Sequence, residues 1–120
     1  MQKIRLATAP FFLALLFFVL PWNVANATTF FSGTIAGDVV WTKEKSPYVV
    51  RLAAIPLGSS LTILPGTVVK VTDGRYPFWV DGTLIVGGAG EEVTITSIHD
   101  DSVGGDTNGD GSTSSPHPGD

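Results

Sequence analysis

Leu61-Thr62-Ile63-Leu64-Pro65-Gly66-Thr67-Val68-Val69-Lys70-Val71, followed by Phe78-Trp79-Val80-Asp81-Gly82-Thr83-Leu84-Ile85-Val86, is the stretch whose reading decides the fold. The two phrases align as one pattern written twice. Leu61 falls on Phe78, Ile63 on Val80 and Gly66-Thr67 on Gly82-Thr83, an offset of 17 residues before the corner and 16 after it. Each copy reads as two short strands bent at a glycine, the residue that takes φ > 0 at a tight corner without steric cost. A unit this small cannot bury its apolar face alone, but a stack of like units can. The pattern therefore predicts a solenoid built on Ser60 to Ser97.

The flanking segments carry the same signature. Val39-Val40-Trp41 and Tyr48-Val49-Val50-Arg51-Leu52 are rich in β-branched and aromatic residues, which suit a half-buried pleated surface. Between them Lys43-Glu44-Lys45-Ser46-Pro47 reads as a charged turn, Pro47 holding Ser46 away from helix. Val93-Thr94-Ile95-Thr96-Ser97 alternates with the period of two expected of a strand, and no segment after Thr28 has the 3.6-residue period of an amphipathic helix. The chain is expected to be all-β, with a β-sandwich as the fold alternative. Trp41 is expected to lid the open end of the stack, with sugar stacking as its other reading. Trp79, alternating with Phe78 and Val80, is expected to point outward.

The N-terminus is of a different kind. Lys3 and Arg5 precede an unbroken apolar run from Phe11 to Leu20, Pro21 ends it, and Ala25-Asn26-Ala27 supplies small residues for a signal peptidase. Ten apolar residues fall short of the ~20 that span a bilayer, so residues 1–27 read as a secretory signal peptide cleaved before Thr28, leaving no membrane span. The remaining ninety-three residues carry five basic against eleven acidic side chains, an acidic balance without a basic cluster that argues against nucleic acid and anionic membranes. There is no cysteine. An exported chain this small without disulfides is expected to draw its stability from stacking, a metal or sequence beyond Asp120.

The chain so divides into a signal peptide (1–27), an N-terminal cap with edge strands (28–58), solenoid rungs (59–98) and an Asp/Gly-rich loop (99–120). That loop holds five Asp, five Gly and no Lys or Arg. Within it, Asp106-Thr107-Asn108-Gly109-Asp110-Gly111-Ser112 matches the first half of a calcium loop: oxygen-bearing side chains at positions one, three and five, and a turn glycine at six. Position twelve, where a bidentate acid belongs, is His117. Asp106, Asn108, Asp110 and the Ser112 carbonyl are the candidate calcium ligands, completed by water or by Asp100 or Asp101. The other reading is a solvated Asp–Gly loop. His99-Asp100-Asp101 reads as solvated polar sequence rather than an acid/base cluster.

The features from Gly37 to Asp120 resemble the opening of bacterial secreted or cell-surface right-handed parallel β-helix repeat proteins. The Trp41 strand, Ser46-Pro47-Tyr48-Val49-Val50, Leu61 to Lys70, Asp81-Gly82-Thr83-Leu84-Ile85 and Val93 to Ser97 carry the resemblance. It implies a solenoid that this chain begins and further rungs complete, with the open end free to self-associate. It also implies an extracellular polysaccharide or cell-surface component as partner, and extracellular calcium loops whose missing ligands come from elsewhere.

Two functions follow. Asp73, Arg75 and Asp81 lie beside turns where a β-helix lyase or hydrolase keeps catalytic groups, but they form no paired-carboxylate or nucleophile–base set. The first reading is a non-catalytic scaffold or adhesin at the cell exterior. The second is the N-terminal part of a polysaccharide-active enzyme with its catalytic rungs beyond residue 120.

Overall fold

Short apolar segments rich in Val, Ile and Thr, each closed by Gly or Pro, leave the backbone little choice but strand and corner. The computed structural model describes residues 27–72, 74 and 76–120. The leader read in residues 1–27 lies outside them except for Ala27, and Asp73 and Arg75 lie outside them too. Eight strands follow in order: β1 (Thr29–Thr34), β2 (Asp38–Trp41), β3 (Tyr48–Ile55), β4 (Ser60–Ile63), β5 (Val68–Val71), β6 (Phe78–Val80), β7 (Thr83–Val86) and β8 (Thr94–Ser97). Lys43–Lys45, in the expected charged turn, forms one 3-10 turn. No helix among the described residues is long and apolar enough to cross a membrane.

The strands stack in two parallel sheets. Sheet one runs β1-β3-β5-β8, with β6 also beside β3, and sheet two runs β2-β4-β7. All six pairings are parallel, which excludes the β-sandwich, an architecture built on antiparallel strands. The chain alternates between the sheets and is a β-solenoid of about three turns.

The period of that solenoid differs from the one the sequence suggests. Leu61 stacks between Val39 and Leu84, and Ile63 between Trp41 and Val86, so successive rungs in sheet two lie 22 and 23 residues apart. Phe78 stacks on Ala53 in the other sheet. The two phrases are therefore consecutive corners of one winding path, β4 to β5 and β6 to β7, rather than equivalent positions in successive rungs. They look alike because both are apolar strand, Gly-Thr corner, apolar strand. The residues read as cap and edge strands supply the first turn and the sheet-one strand of the second.

Their glycines also differ in purpose. Gly66 has φ +81°, as a left-handed corner requires. Gly82 is not among the positive-φ glycines. A Cβ there would stand 2.3 Å from the Pro56 carbonyl oxygen and 2.4 Å from that of Ser59, so the position is glycine because backbone passes against backbone.

Sheet one absorbs the irregularity. β3 meets β1 with Phe31 opposite Val50 and Ser32 opposite Leu52, leaving Arg51 as a bulge. Tyr48 and Val50 before the bulge and Ala53 and Ile55 after it all belong to the core. Strict alternation would have turned the second pair outward, so the extra residue restores the phase. The third-turn strand is interrupted as well: β5 pairs with the first half of β3 and β6 with the second.

Ile35, Trp41, Tyr48, Val50, Ala53, Ile55, Leu61, Ile63 and Val69 form the core between the sheets. Trp41 is 4% exposed. Its ring stacks on Tyr48 at 4.5 Å between centroids, with Phe31 edge-on at 5.5 Å and Phe78 tilted at 6.4 Å. It is thus an interior residue of the first turn, on the edge strand of sheet two, and closed to a sugar. Trp79 is 57% exposed, as alternation expects, and its Nε1 donates to Asp81 Oδ2 at 3.1 Å.

Candidate cation site in the loop over sheet one

A lysine inside the strand Val68-Val69-Lys70-Val71 is the local fact from which the site grows. Val69 belongs to the core, so Lys70 points to the outer face of sheet one. An outward lysine is ordinarily solvated, yet this one has no exposed surface. Residues 99–120 fold back over it. Ile98 N donates to the Val71 carbonyl, extending the β5–β8 ladder by one bond, and the chain then crosses the sheet as a strap. Gly104, at φ +68°, lies so close to Pro47 and Val68 that a Cβ would meet Pro47 Cβ at 3.1 Å. Lys70 Nζ donates to the carbonyl of Gly105. Burial pushes the Lys70 ammonium below the usual lysine range, and Asp101, Asp100 and Asp106 push it back.

The strap is held at both ends. At its start Asp100 accepts from Thr96 Oγ1 at 2.7 Å and from the amide and hydroxyl of Ser102. Those bonds, Ser102 first, hold its carboxyl below the ordinary value. At its end Asp120 Oδ2 accepts from the His117 amide at 2.7 Å and from Ser97 Oγ at 3.1 Å. His99, read as solvated, has Nδ1 2.9 Å from Ser114 Oγ and 3.3 Å from Asn108 Nδ2. Its partners lie 15 and nine residues away, where local sequence gives no sign of them.

The calcium-like phrase folds into a tight knot. Asp106 Oδ1 accepts from the amides of Gly109 and Asp110, and Oδ2 from that of Gly111, so one carboxylate closes the turn. Asp110 accepts from Asn108 Nδ2 at 3.0 Å, from the amides of Thr113 and Ser114 and from Ser114 Oγ; the Ser114 hydroxyl is foremost in holding its carboxyl below the ordinary range. Asn108 turns its amide nitrogen, a donor, toward Asp110 and Ser114. Ser112 is exposed and its amide donates to the Asp110 carbonyl.

Three carboxylates converge here. Asp101, Asp106 and Asp110 each bring an oxygen to within 4.8 Å of the others. Asp106 and Asp110 belong to the set read from the sequence, and Asp101 was named there only as a substitute. Both Asp101 oxygens are closed to solvent and have no hydrogen-bond partner, as is the Thr107 hydroxyl. A buried carboxylate left in that state is costly unless a positive charge answers it. Lys70 answers part of the charge through space, but its proton goes to Gly105. Hard oxygens around one point are the donor set that calcium takes. Lys70 was missed in the sequence; the signal for it was a charge set between valines in an otherwise apolar strand.

No family model matches this chain, no curated protein matches it, and no solved structure matches it.

Proposed function

We propose that this chain is part of an exported, non-catalytic β-solenoid scaffold or adhesin whose outer face is fastened by a calcium-binding strap. The buried, unpartnered carboxylate of Asp101 facing Asp106 and Asp110 is the observation that supports it most directly. Asp101, Asp106 and Asp110 would hold the ion, with the Thr107 hydroxyl and water completing the six to eight oxygens calcium takes. Export rests on the leader-like pattern before Thr28, and the scaffold role on acids such as Asp38 and Glu91 that sit in structural bonds with Ser60 and Lys43. Asp81 likewise accepts from the Trp79 indole. The uncovered edges of β6, β7 and β8, with Val80, Ile85, Val86 and Ile95 exposed, suit further rungs or self-association.

Calorimetric titration of the full chain with calcium tests the reading. Saturable binding near millimolar, weaker magnesium binding, and loss of the heat in D101N/D106N are expected. Equal heat from that variant, or none from the parent at several millimolar, would leave only a solvated loop. N-terminal sequencing of exported protein should begin at Thr28. Turnover of a polysaccharide by the chain would overturn the non-catalytic part.

A further inference from the structure

A second feature occupies the outer face of sheet one and shares no residue with the cation site. Where β3 bulges at Arg51 and β5 ends, a cavity of about 300 Å³ opens between Phe30 and Ile98. That is the lower end of the range for small-molecule sites. Its floor is Val49, which faces outward beside Lys70 yet is only 3% exposed. Its aromatic wall, Phe30, is 70% exposed and so open to a ligand.

Among the described residues lining this cavity one is charged. Arg51 lines it, carried there by the bulge, and its guanidinium makes no ion pair or hydrogen bond among the described residues. Carboxylates outnumber cations in this protein, and Lys43 has found one in Glu91. A guanidinium left open over apolar walls is a fork for a planar anion. Thr72 in the same wall has a hydroxyl that is buried and without a partner. A single χ1 rotation would present it to whatever Arg51 holds.

We propose that this cavity is a binding site for a small carboxylate with an apolar, ring-sized body. The body lies on Val49 against Phe30 and Ile98, and the carboxylate takes two guanidinium N–H groups of Arg51 and the Thr72 hydroxyl. The apolar lining disfavours a saccharide, whose many hydroxyls would lose their water without replacement. An amine is repelled by Arg51, and a neutral ring of the same shape keeps only the hydrophobic part.

The test is a titration of the full-length, methyl-labelled chain with phenylacetate, benzyl alcohol and phenethylamine, followed by NMR at one fixed calcium concentration. Phenylacetate should give saturable shifts centred on Val49, Thr72 and Ile98, with the alcohol and the amine at least tenfold weaker. Arg51→Gln should reduce phenylacetate to the level of the alcohol with the rest of the spectrum unmoved. Arg51→Lys should recover part of the difference, and Thr72→Val should weaken binding a few-fold. Equal response to all three probes, no saturable shift, or indifference to Arg51→Gln overturns the proposal. Nuclear Overhauser contacts from Phe30 or Ile98 to residues 1–26 in the unliganded protein would do so too, by giving the cavity to the chain itself. The calcium titration fails or succeeds separately, because the two sites have no residue in common.

Discussion

Gly82→Ala is the substitution in which fold and sequence are most tightly joined. The new Cβ would lie 2.3 Å from the Pro56 carbonyl oxygen, 2.4 Å from that of Ser59 and 3.2 Å from Ile55 Cγ2. Real Cβ contacts essentially never fall below 3.0 Å, so both carbonyls must retreat by more than half an ångström. They cannot do so freely. Pro56 O receives the amide of Ser59 at 3.0 Å and Ser59 O that of Thr83 at 3.1 Å, while the neighbouring Ile55 O holds the amides of Asp81 and Gly82 at 2.9 and 2.8 Å. Overpacking of this kind costs about 1–3 kcal/mol, and weakening two or three backbone bonds adds about 1 kcal/mol each. A loss of about 3–6 kcal/mol follows, enough to unfold a marginal solenoid. Gly58→Ala is the control: φ is +80° there but nothing lies within 4 Å, so only the left-handed backbone is strained, at about 1–2 kcal/mol. Urea unfolding followed by circular dichroism compares the two. If Gly82→Ala is no worse than Gly58→Ala, the close approach of the two corners is refuted.

Other outcomes follow from the same contacts. Trp41→Ala should cost about 3–5 kcal/mol in the same assay because it empties the aromatic seam, whereas Trp79→Ala should stay within about 0.5 kcal/mol; similar losses from both would contradict the burial. Lys70→Met should tighten calcium binding at least several-fold, because it removes the repulsion between a buried ammonium and the divalent ion held by the acids that face it, and weaker binding would show that Lys70 helps rather than competes. Asp100, Asp110 and Asp120 have folded values below their ordinary ones, so their contribution is whole above the unfolded value near pH ~4 and fades as pH falls through the folded values. Protection factors of the strap amides, exchange rates taken relative to the intrinsic rate at each pH, should therefore fall below about pH 4 while those of the core strands hold; unchanged strap protection at about pH 2.5 would contradict this.

Much of the fold was legible because its signals are local. Val39 to Trp41, Tyr48 to Leu52 and Val93 to Ser97 declare strand by composition, and the Gly-Thr corners declare turns. The rung length was not legible, because it is fixed by which strand lies beneath which. Leu61 stacking on Leu84 rather than aligning with Phe78 depends on β5 and β6 sharing one partner strand, and nothing in the sequence between them announces that the strand resumes. The site divides in the same way. Asp106 and Asp110 stand in a motif with its own geometry, while Asp101 and Lys70 meet across 31 residues of chain. Gly82 carries a related lesson: a glycine in a corner invites a backbone explanation, and only the neighbouring turn reveals the steric one.

The bulge at Arg51, the break between β5 and β6 and the strap after Ile98 all lie on sheet one, while β2, β4 and β7 stack without a shift. The two walls of the coil thus divide their labour. Sheet two keeps the count, fixing each winding above the last, and sheet one is the side on which length can change without losing it. Extra chain spliced between β5 and β6, where sheet one is already broken, would leave the winding number intact. Extra chain spliced into β4 would shift the ruler itself.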